Sequence, residues 1–298
     1  MLNTEELSKV VKELLQIFRK GIIQNPEKEE KIINSCMKEV YRKWDDKFLS
    51  FPKSSSKRRT ISWELERGKR DQYLIDIITK NVTELEKDEN IILNAACVFG
   101  RHAKAIAKKL KNFKIIGTDI NSRPVWNFFS KLFKKQPQNY SFIRDNIFQS
   151  KLDIRPRAVV FFGACGSVSD GIMDYAIKTT SPFLICRTCC HDNIGGNTKI
   201  AKKSSFLNFF FRCKNWYYEK RKKANAGDYF SEKYSSQAYP RSTIVKQLST
   251  TKEYMELAKN SVNSDICRIL IDLDRCCYLI EHGYSVLYKE ELFFAKKI

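Results

Sequence analysis

The stretch Ile91–Asp119, IILNAACVFGRHAKAIAKKLKNFKIIGTD, decides how this chain folds. Ile91, Ile92 and Leu93 form a short apolar run of the kind a buried strand needs. A segment of small residues follows, Asn94-Ala95-Ala96-Cys97-Val98-Phe99-Gly100. Next, Ala103, Ile106, Ala107 and Leu110 fall on one helical face, with Lys104, Lys108, Lys109 and Lys111 opposite. A second apolar run, Ile115-Ile116-Gly117, ends at Asp119. The order strand, tight turn, helix, strand, acid is one βαβ unit. Such a unit suits a nucleoside cofactor for physical reasons. Small turn residues let a ligand approach the backbone, a helix N-terminus offers free N–H groups, and a carboxylate ending the second strand accepts from ribose hydroxyls. The strict G-x-G-x-x-G is absent, and an ordinary βαβ unit without a ligand would read the same way.

Outward from this unit the alternation continues. Before it, Trp63 to about Asn81 reads as a helix. After it, Val125, Phe128, Phe129, Leu132 and Phe133 mark another, and Tyr140–Ile147 a strand closing on Asp145-Asn146. Ala158–Cys165 is a buried strand ending at Gly166, with Ser169 as a candidate cap for the following helix. Pro182–Cys186 is a fifth strand that runs into Arg187-Thr188-Cys189-Cys190-His191-Asp192. Five strands with helices between them predict a doubly wound, mostly parallel α/β sheet. Ligands bind such sheets at the strands' carboxyl ends, where Asn94, Asp119, Asp145, Asn146 and residues 189–193 gather. The C-terminal pair Tyr284–Tyr288 and Leu292–Ala295 predicts a hairpin that supplies an antiparallel edge strand.

The chain holds 298 residues, enough for one large domain or two modest ones. Residues 1–62 read as a helical extension and basic linker, with two helices separated at Asn25-Pro26, and 63–298 as the main domain. No apolar run is long enough to span a bilayer. The N-terminal helix has acids in its first turn and no basic-then-apolar leader, so an intracellular, cytoplasmic protein is expected, or a nuclear one in a eukaryote. The ten cysteines are then expected to be reduced. Cys186, Cys189, Cys190, His191 and Cys213 offer soft ligands, but no four-ligand zinc spacing emerges and no metal is expected.

Charge is the main compositional fact. Lys and Arg total 54 against 34 acids, a formal +20, which favours a polyanion unless it reflects only a lysine-rich proteome. Residues 193–241 break the alternation with Phe, Trp and Tyr interleaved among Lys and Arg. Basic side chains neutralise phosphates and rings stack on unpaired bases, so this insertion is a candidate RNA surface. Its densest run is Lys220, Arg221, Lys222 and Lys223. A helix burying its aromatics beneath solvated lysines is the competing reading.

Three segments together resemble class I S-adenosylmethionine-dependent methyltransferases, and within them the domain shared by tRNA ribose 2′-O-methyltransferases of the Trm13 type and METTL25-like proteins. They are the turn Asn94–Gly100, similar to D-x-G-C-G-x-G; Phe162-Gly163-Ala164-Cys165-Gly166-Ser167-Val168-Ser169-Asp170, similar to L-H-x-C-G-x-L-[ST]-D; and Cys189-Cys190-His191, similar to C-C-H. Ile271–Arg275 also looks like a helix of that family, and the likeness covers roughly Gly68–Ile298. The resemblance implies a Rossmann-like seven-stranded sheet with an antiparallel C-terminal strand, and S-adenosylmethionine as cofactor. By that likeness Asn94, Ala96, Cys97 and Gly100 line its methionine end, Asp119 and Ile120 meet the ribose, Asp145 and Asn146 meet the adenine, and Gly163, Ala164 and Cys165 form the pocket floor. The turn departs from the pattern: Asn94 replaces the acid, and Ala96 and Val98 replace two glycines.

The implied reaction is methyl transfer to RNA, tRNA first, with the ribose 2′-oxygen as the candidate acceptor. His191 has the pKa range of a proton acceptor and Asp192 could orient it. Arg187, Cys189, Cys190 and Asn193 fall where a substrate would lie. Two other functions remain open: methylation of a protein or small molecule, and an inactive methyltransferase-like module that only binds RNA.

Overall fold

The computed structural model describes residues 2–21, 23, 25–48, 61–83, 90–97, 100–119, 136–189, 240–261 and 264–298. The strands are β1 (Ile91–Asn94), β2 (Lys114–Asp119), β3 (Tyr140–Arg144), β4 (Ala158–Cys165), β5 (Phe183–Cys189), β6 (Tyr284–Lys289) and β7 (Leu292–Lys297). They form one sheet in the order β3-β2-β1-β4-β5-β7-β6. β1 to β5 pair in parallel, and β7 runs antiparallel to both β5 and β6. The fold is the doubly wound, Rossmann-like α/β sheet that the alternation predicts.

The end of the chain corrects one expectation. The antiparallel strand is not at the edge: β7 inserts between β5 and β6, and β6 becomes the edge, running parallel with β1–β5. β7 carries apolar bulk on both faces, since Phe293 and Phe294 are both fully buried, each in a different core cluster. A strand of that composition belongs inside a sheet. The exposed edge of β6 is blunted by the chain's own start, where Leu2 N–H donates to Val286 O at 3.1 Å.

One face of the sheet is covered by α4 (Ile61–Val82) and α5 (Arg101–Lys109) through Leu74, Ile78, Ala103 and Ile106. The other is covered by α1 (Thr4–Arg19), α6 (Ser167–Lys178), α8 (Thr251–Asn260) and α9 (Asp265–Glu281). Between β5 and α8 lies the short α7 (Thr243–Leu248). α1 opens with a capping box in which Asn3 and Glu6 satisfy each other's backbone N–H groups. Its apolar stripe, Leu7, Val11, Leu14 and Leu15, is buried in the same core as α9.

The second N-terminal helix expected from the sequence is two. α2 (Pro26–Cys36) and α3 (Lys38–Asp45) meet at Met37, whose backbone (φ −92°, ψ 0°) leaves the helical basin. The apolar period runs through the junction, so the sequence shows no break. The bend lets α3 reach the hairpin: Trp44 is fully buried against Phe48, and Phe48 against Phe294, with ring centroids 4.9 and 5.1 Å apart. α2 is also tied to α9. The Glu29 carboxylate accepts from Ser264 Oγ at 2.6 Å and from Ile266 N–H at 3.0 Å, capping α9 from outside it. The helix expected over residues 125–133 lies outside the described residues.

Candidate active site

The small-residue turn after β1 folds back over β2. Ala95 N–H donates to Val160 O at 3.0 Å and Cys97 N–H to Thr118 O at 2.8 Å, stitching the turn across both neighbours of β1. Ala96 sits at φ +48°, in the left-handed region that a glycine would fill without strain. An alanine there costs about 1–2 kcal/mol. Gly100 takes φ +64° and starts α5. Cys97 points down rather than outward, since a Cβ on Gly117 would lie 2.9 Å from its Sγ. Cys97 can therefore serve a ligand only through its backbone. Val98 and Phe99 lie outside the described residues.

Around this turn the ends of β1, β2 and β3 converge. Asp119 ends β2 and is buried. Asp145 N–H donates to Asp119 O at 3.1 Å, which holds the residues after β3 beside it. Asn146 Oδ1 accepts from Phe148 N–H at 3.1 Å and shapes the turn that follows. Three buried polar atoms in this group have no hydrogen-bond partner among the described residues: Asn94 Oδ1, Asp145 Oδ2 and Asn146 Nδ2. Asn94 uses its Nδ2 on Val160 O at 3.2 Å, so its orientation is set while its oxygen remains unanswered. Orphaned buried polar atoms are costly, and their collection at one sheet edge fits a polar ligand.

The end of β4 supplies the opposite wall. Gly163 takes φ +77°, and the β4–β5 register shifts between Phe162 and Ala164. This bulge re-aims the strand just where ligands bind such sheets. α6 begins at Ser167, after Gly166 at φ +55°. Ser169, expected as its cap, is instead inside the helix and donates Oγ to Ala164 O at 2.8 Å. That bond ties the helix's first turn to the bulge.

One turn of α9 holds this wall. Arg275 is fully buried and reaches three partners: Asp170 Oδ1 at 2.8 Å, Asp272 Oδ1 at 3.1 Å and Gly166 O at 3.1 Å. Burial would lower its pKa, but Asp170 and Asp272 hold it above the usual guanidinium range. Asp272 also accepts from Thr188 Oγ1 and Tyr288 OH. Asp274 accepts from Arg241 N–H, Ser242 N–H, Ser242 Oγ and Tyr254 OH, at 2.6–2.8 Å. Burial still pushes its carboxyl up.

A second charged group was not foreseen. Arg187 Nε donates to Asp71 Oδ1 at 2.9 Å, and His102 Nε2 lies 3.0 Å from Asp71 Oδ2. The His102 ring stacks on Phe162, centroids 4.3 Å apart. Burial pushes the Asp71 carboxyl up, but the His102 ring 3.0 Å away and the Arg187 guanidinium outweigh it and hold the pKa at about 2. A depressed carboxylate pKa contributes stability above its unfolded value, near 3.9, and loses it as pH falls toward the folded one. Asp71→Asn is thus expected to cost about 2 kcal/mol at neutral pH, with the gap to wild type closing between about pH 4 and pH 2. Urea unfolding at several pH values measures this; a gap independent of pH contradicts it.

Of the residues expected at the site, Asn94, Ala96, Cys97, Gly100, Asp119, Asp145, Asn146, Gly163 and Ala164 are brought together at the strand ends. Cys165 and Cys189 end β4 and β5 as backbone, and their side chains are not among those described. Arg187, expected to touch substrate, is 1% exposed and faces Asp71 inside the protein. Ile120, Cys190, His191, Asp192, Asn193, Lys220, Arg221, Lys222 and Lys223 lie outside the described residues. His102 and Asp71 were missed. Nothing in the sequence pairs them, although His102 stands two places beyond Gly100, in the first turn of α5. Cys186 is fully buried in the core, as a small apolar residue would be. Among the described residues no helix is long and apolar enough to cross a membrane.

No family model matches the chain, and no curated protein matches it. Solved structures similar to it include methyltransferases. Magnesium protoporphyrin IX methyltransferase of Synechocystis PCC 6803, with bound SAH, is 11% identical at a TM-score of 0.38, covering 90% of this chain and 97% of that one. The antibiotic-resistance methyltransferase Kmr is 10% identical at 0.35, covering 70% and 87%. The CMeT domain of the citrinin polyketide synthase is 17% identical at 0.32, covering 39% of this chain, which spans about 34% of that structure's length. At such scores the neighbours say nothing about the chemistry of this chain.

Proposed function

We propose that the chain is an S-adenosylmethionine-dependent methyltransferase acting on RNA, with tRNA the first candidate and the ribose 2′-hydroxyl the candidate acceptor. One observation carries the cofactor reading: Asn94 Oδ1, Asp145 Oδ2 and Asn146 Nδ2 are buried without partners among the described residues, around the buried Asp119. An adenosine brings ribose hydroxyls, ring acceptors and an amino donor, which are the complements of that set. The residues present therefore fit the cofactor. Asp119 would hold the ribose, Asp145 and Asn146 the adenine, and the backbone of Ala96–Gly100 the methionine end. When bound, the cofactor supplies an electrophilic methyl group; the protein orients the acceptor against it and receives a proton.

RNA is favoured over a protein or small molecule by charge. The formal +20 and the basic and aromatic composition of residues 193–241 suit a phosphate backbone with unpaired bases. Arg241 and Ser242, which follow that stretch, are held by Asp274 on the same turn of α9 whose Arg275 grips Gly166. Replacing Lys220, Arg221, Lys222 and Lys223 together by Ser is expected to flatten the salt dependence of RNA binding, by up to about 3–4 in the slope, and to leave the melting temperature unchanged. An unaltered slope assigns the run to a solvated face.

The direct test has two arms. Calorimetry with S-adenosylmethionine separates an enzyme from an inactive module; absence of binding rejects the proposal. Incubation with labelled cofactor and total RNA, followed by mass spectrometry of nucleosides, identifies the product. Cofactor binding without any labelled RNA turns the reading toward a protein or small-molecule acceptor.

A further inference from the structure

His102 and Asp71 form a histidine–carboxylate pair, 3.0 Å apart, and His102 is the second residue of α5, just after the turn that ends at Gly100. Arg187 already answers the Asp71 charge at 2.9 Å, so a second cation is not needed for neutrality. A histidine kept only for packing would be better replaced by an apolar ring on Phe162, without the cost of dehydrating an imidazole. The side chain retains 19% of its surface, whereas Asp71 and Arg187 retain 5% and 1%. It thus lies at the rim of the buried cluster rather than inside it. Its ring rests on Phe162, the residue before the Gly163 bulge. This places it between the turn after β1 and the end of β4.

Building on the methyltransferase reading above, we propose that His102 is the proton-accepting residue for the methyl acceptor and that Asp71 is its positioning residue. Asp71 Oδ2 stands 3.0 Å from Nε2 but out of line for a hydrogen bond as the ring lies; a small ring rotation when the acceptor binds lets it take the Nε2–H, which fixes the tautomer and leaves the Nδ1 lone pair as the base. As the acceptor oxygen gains the methyl group and the donor's sulfonium becomes a neutral thioether, the hydroxyl proton passes to Nδ1. Asp71 stabilises the resulting imidazolium, and the proton leaves to water. Arg187 keeps Asp71 ionised and in register at the end of β5.

The test joins a spectroscopic reading to a rate. In full-length protein labelled with 15N-histidine, the His102 ring is expected to show the Nε2–H tautomer, and Asp71→Asn is expected to lose it. His102→Phe preserves the stacked ring and removes the nitrogens; its single-turnover methylation of RNA is expected to fall roughly a hundredfold while S-adenosylmethionine affinity by calorimetry stays within about twofold. Asp71→Asn is expected to fall roughly tenfold. A wild-type ring protonated at Nδ1, or an unchanged single-turnover rate in His102→Phe, overturns the assignment. So does a loss confined to His191→Ala. If His102→Phe does not fold, His102→Gln and the wild-type tautomer decide. Failure of the wild type to bind S-adenosylmethionine is a different result: it removes the parent reading, and this assignment with it.

Discussion

Arg275→Met is expected to lower the melting temperature by roughly 10 °C, a larger loss of stability than that of Asp71→Asn. Methionine keeps most of the length of the side chain and removes its charge. Three acceptors then lose their donor at once: Asp170, Asp272 and the Gly166 carbonyl. Asp272 is 1% exposed on its side chain and Asp170 12%, so neither can turn fully to water. Breaking a buried pair by removing one partner costs about 3–5 kcal/mol, because the remaining charge stays where it is unsolvated. Asp272 keeps Thr188 Oγ1 and Tyr288 OH as donors, which sets the loss below that of two bare carboxylates. Arg241 still faces Asp170, at 3.5 Å. Arg275→Lys keeps the charge but cannot reach three acceptors from one nitrogen, so an intermediate loss is expected. Thermal melting of the three proteins measures the series. A Met variant that melts within about 2 °C of wild type shows that the network contributes little.

The central unit was legible because its signals are local. Ile91–Leu93 and Ile115–Ile116 are buried strands, Ala103, Ile106 and Ala107 are the buried face of α5, and Asp119 ends β2 as read. Each follows from a period or a short apolar run that tertiary structure had no reason to override. The hairpin was legible as a hairpin and not as an insertion. Both of its strands are apolar, and which one pairs with β5 depends on Phe293 and Phe294 filling two separate cores, a fact about partners far away in sequence. The bend at Met37 was hidden for a similar reason, since the stripe continues unchanged across it. At the candidate site, Asn94, Asp119 and Asp145 are placed at strand ends by their positions in the sequence alone. His102, Asp71 and Arg187 were not found as a group, because Asp71 and Arg187 are 116 residues apart and meet only across the packed face of the sheet. In the sequence Arg187 reads only as a candidate substrate contact after the fifth strand. Its burial depends on Asp71 in α4, and no sequence period reports that.

Asp119→Ala is expected to weaken S-adenosylmethionine binding roughly a hundredfold. The residue closes β2 and is 3% exposed, at the point where the backbone of Asp145 bonds to its own carbonyl at 3.1 Å. In the proposed site its carboxylate receives both ribose hydroxyls. Hydrogen bonds to a charged group contribute about 1.5–3 kcal/mol each, so losing two costs about 3 kcal/mol or more, which corresponds to the hundredfold change. Asp119→Asn retains one acceptor oxygen without the charge, so a loss of roughly tenfold is expected. The ordering Asp, Asn, Ala separates a ribose contact from a purely structural role. If the carboxylate only supported the fold, the two variants would lose stability while the folded fraction bound the cofactor as wild type does. Calorimetric titration of each protein, corrected for its folded fraction at the same temperature, makes that comparison. Equal affinities across the three would move the cofactor away from the end of β2 and leave the orphaned atoms of Asn94, Asp145 and Asn146 to be explained by some other polar ligand.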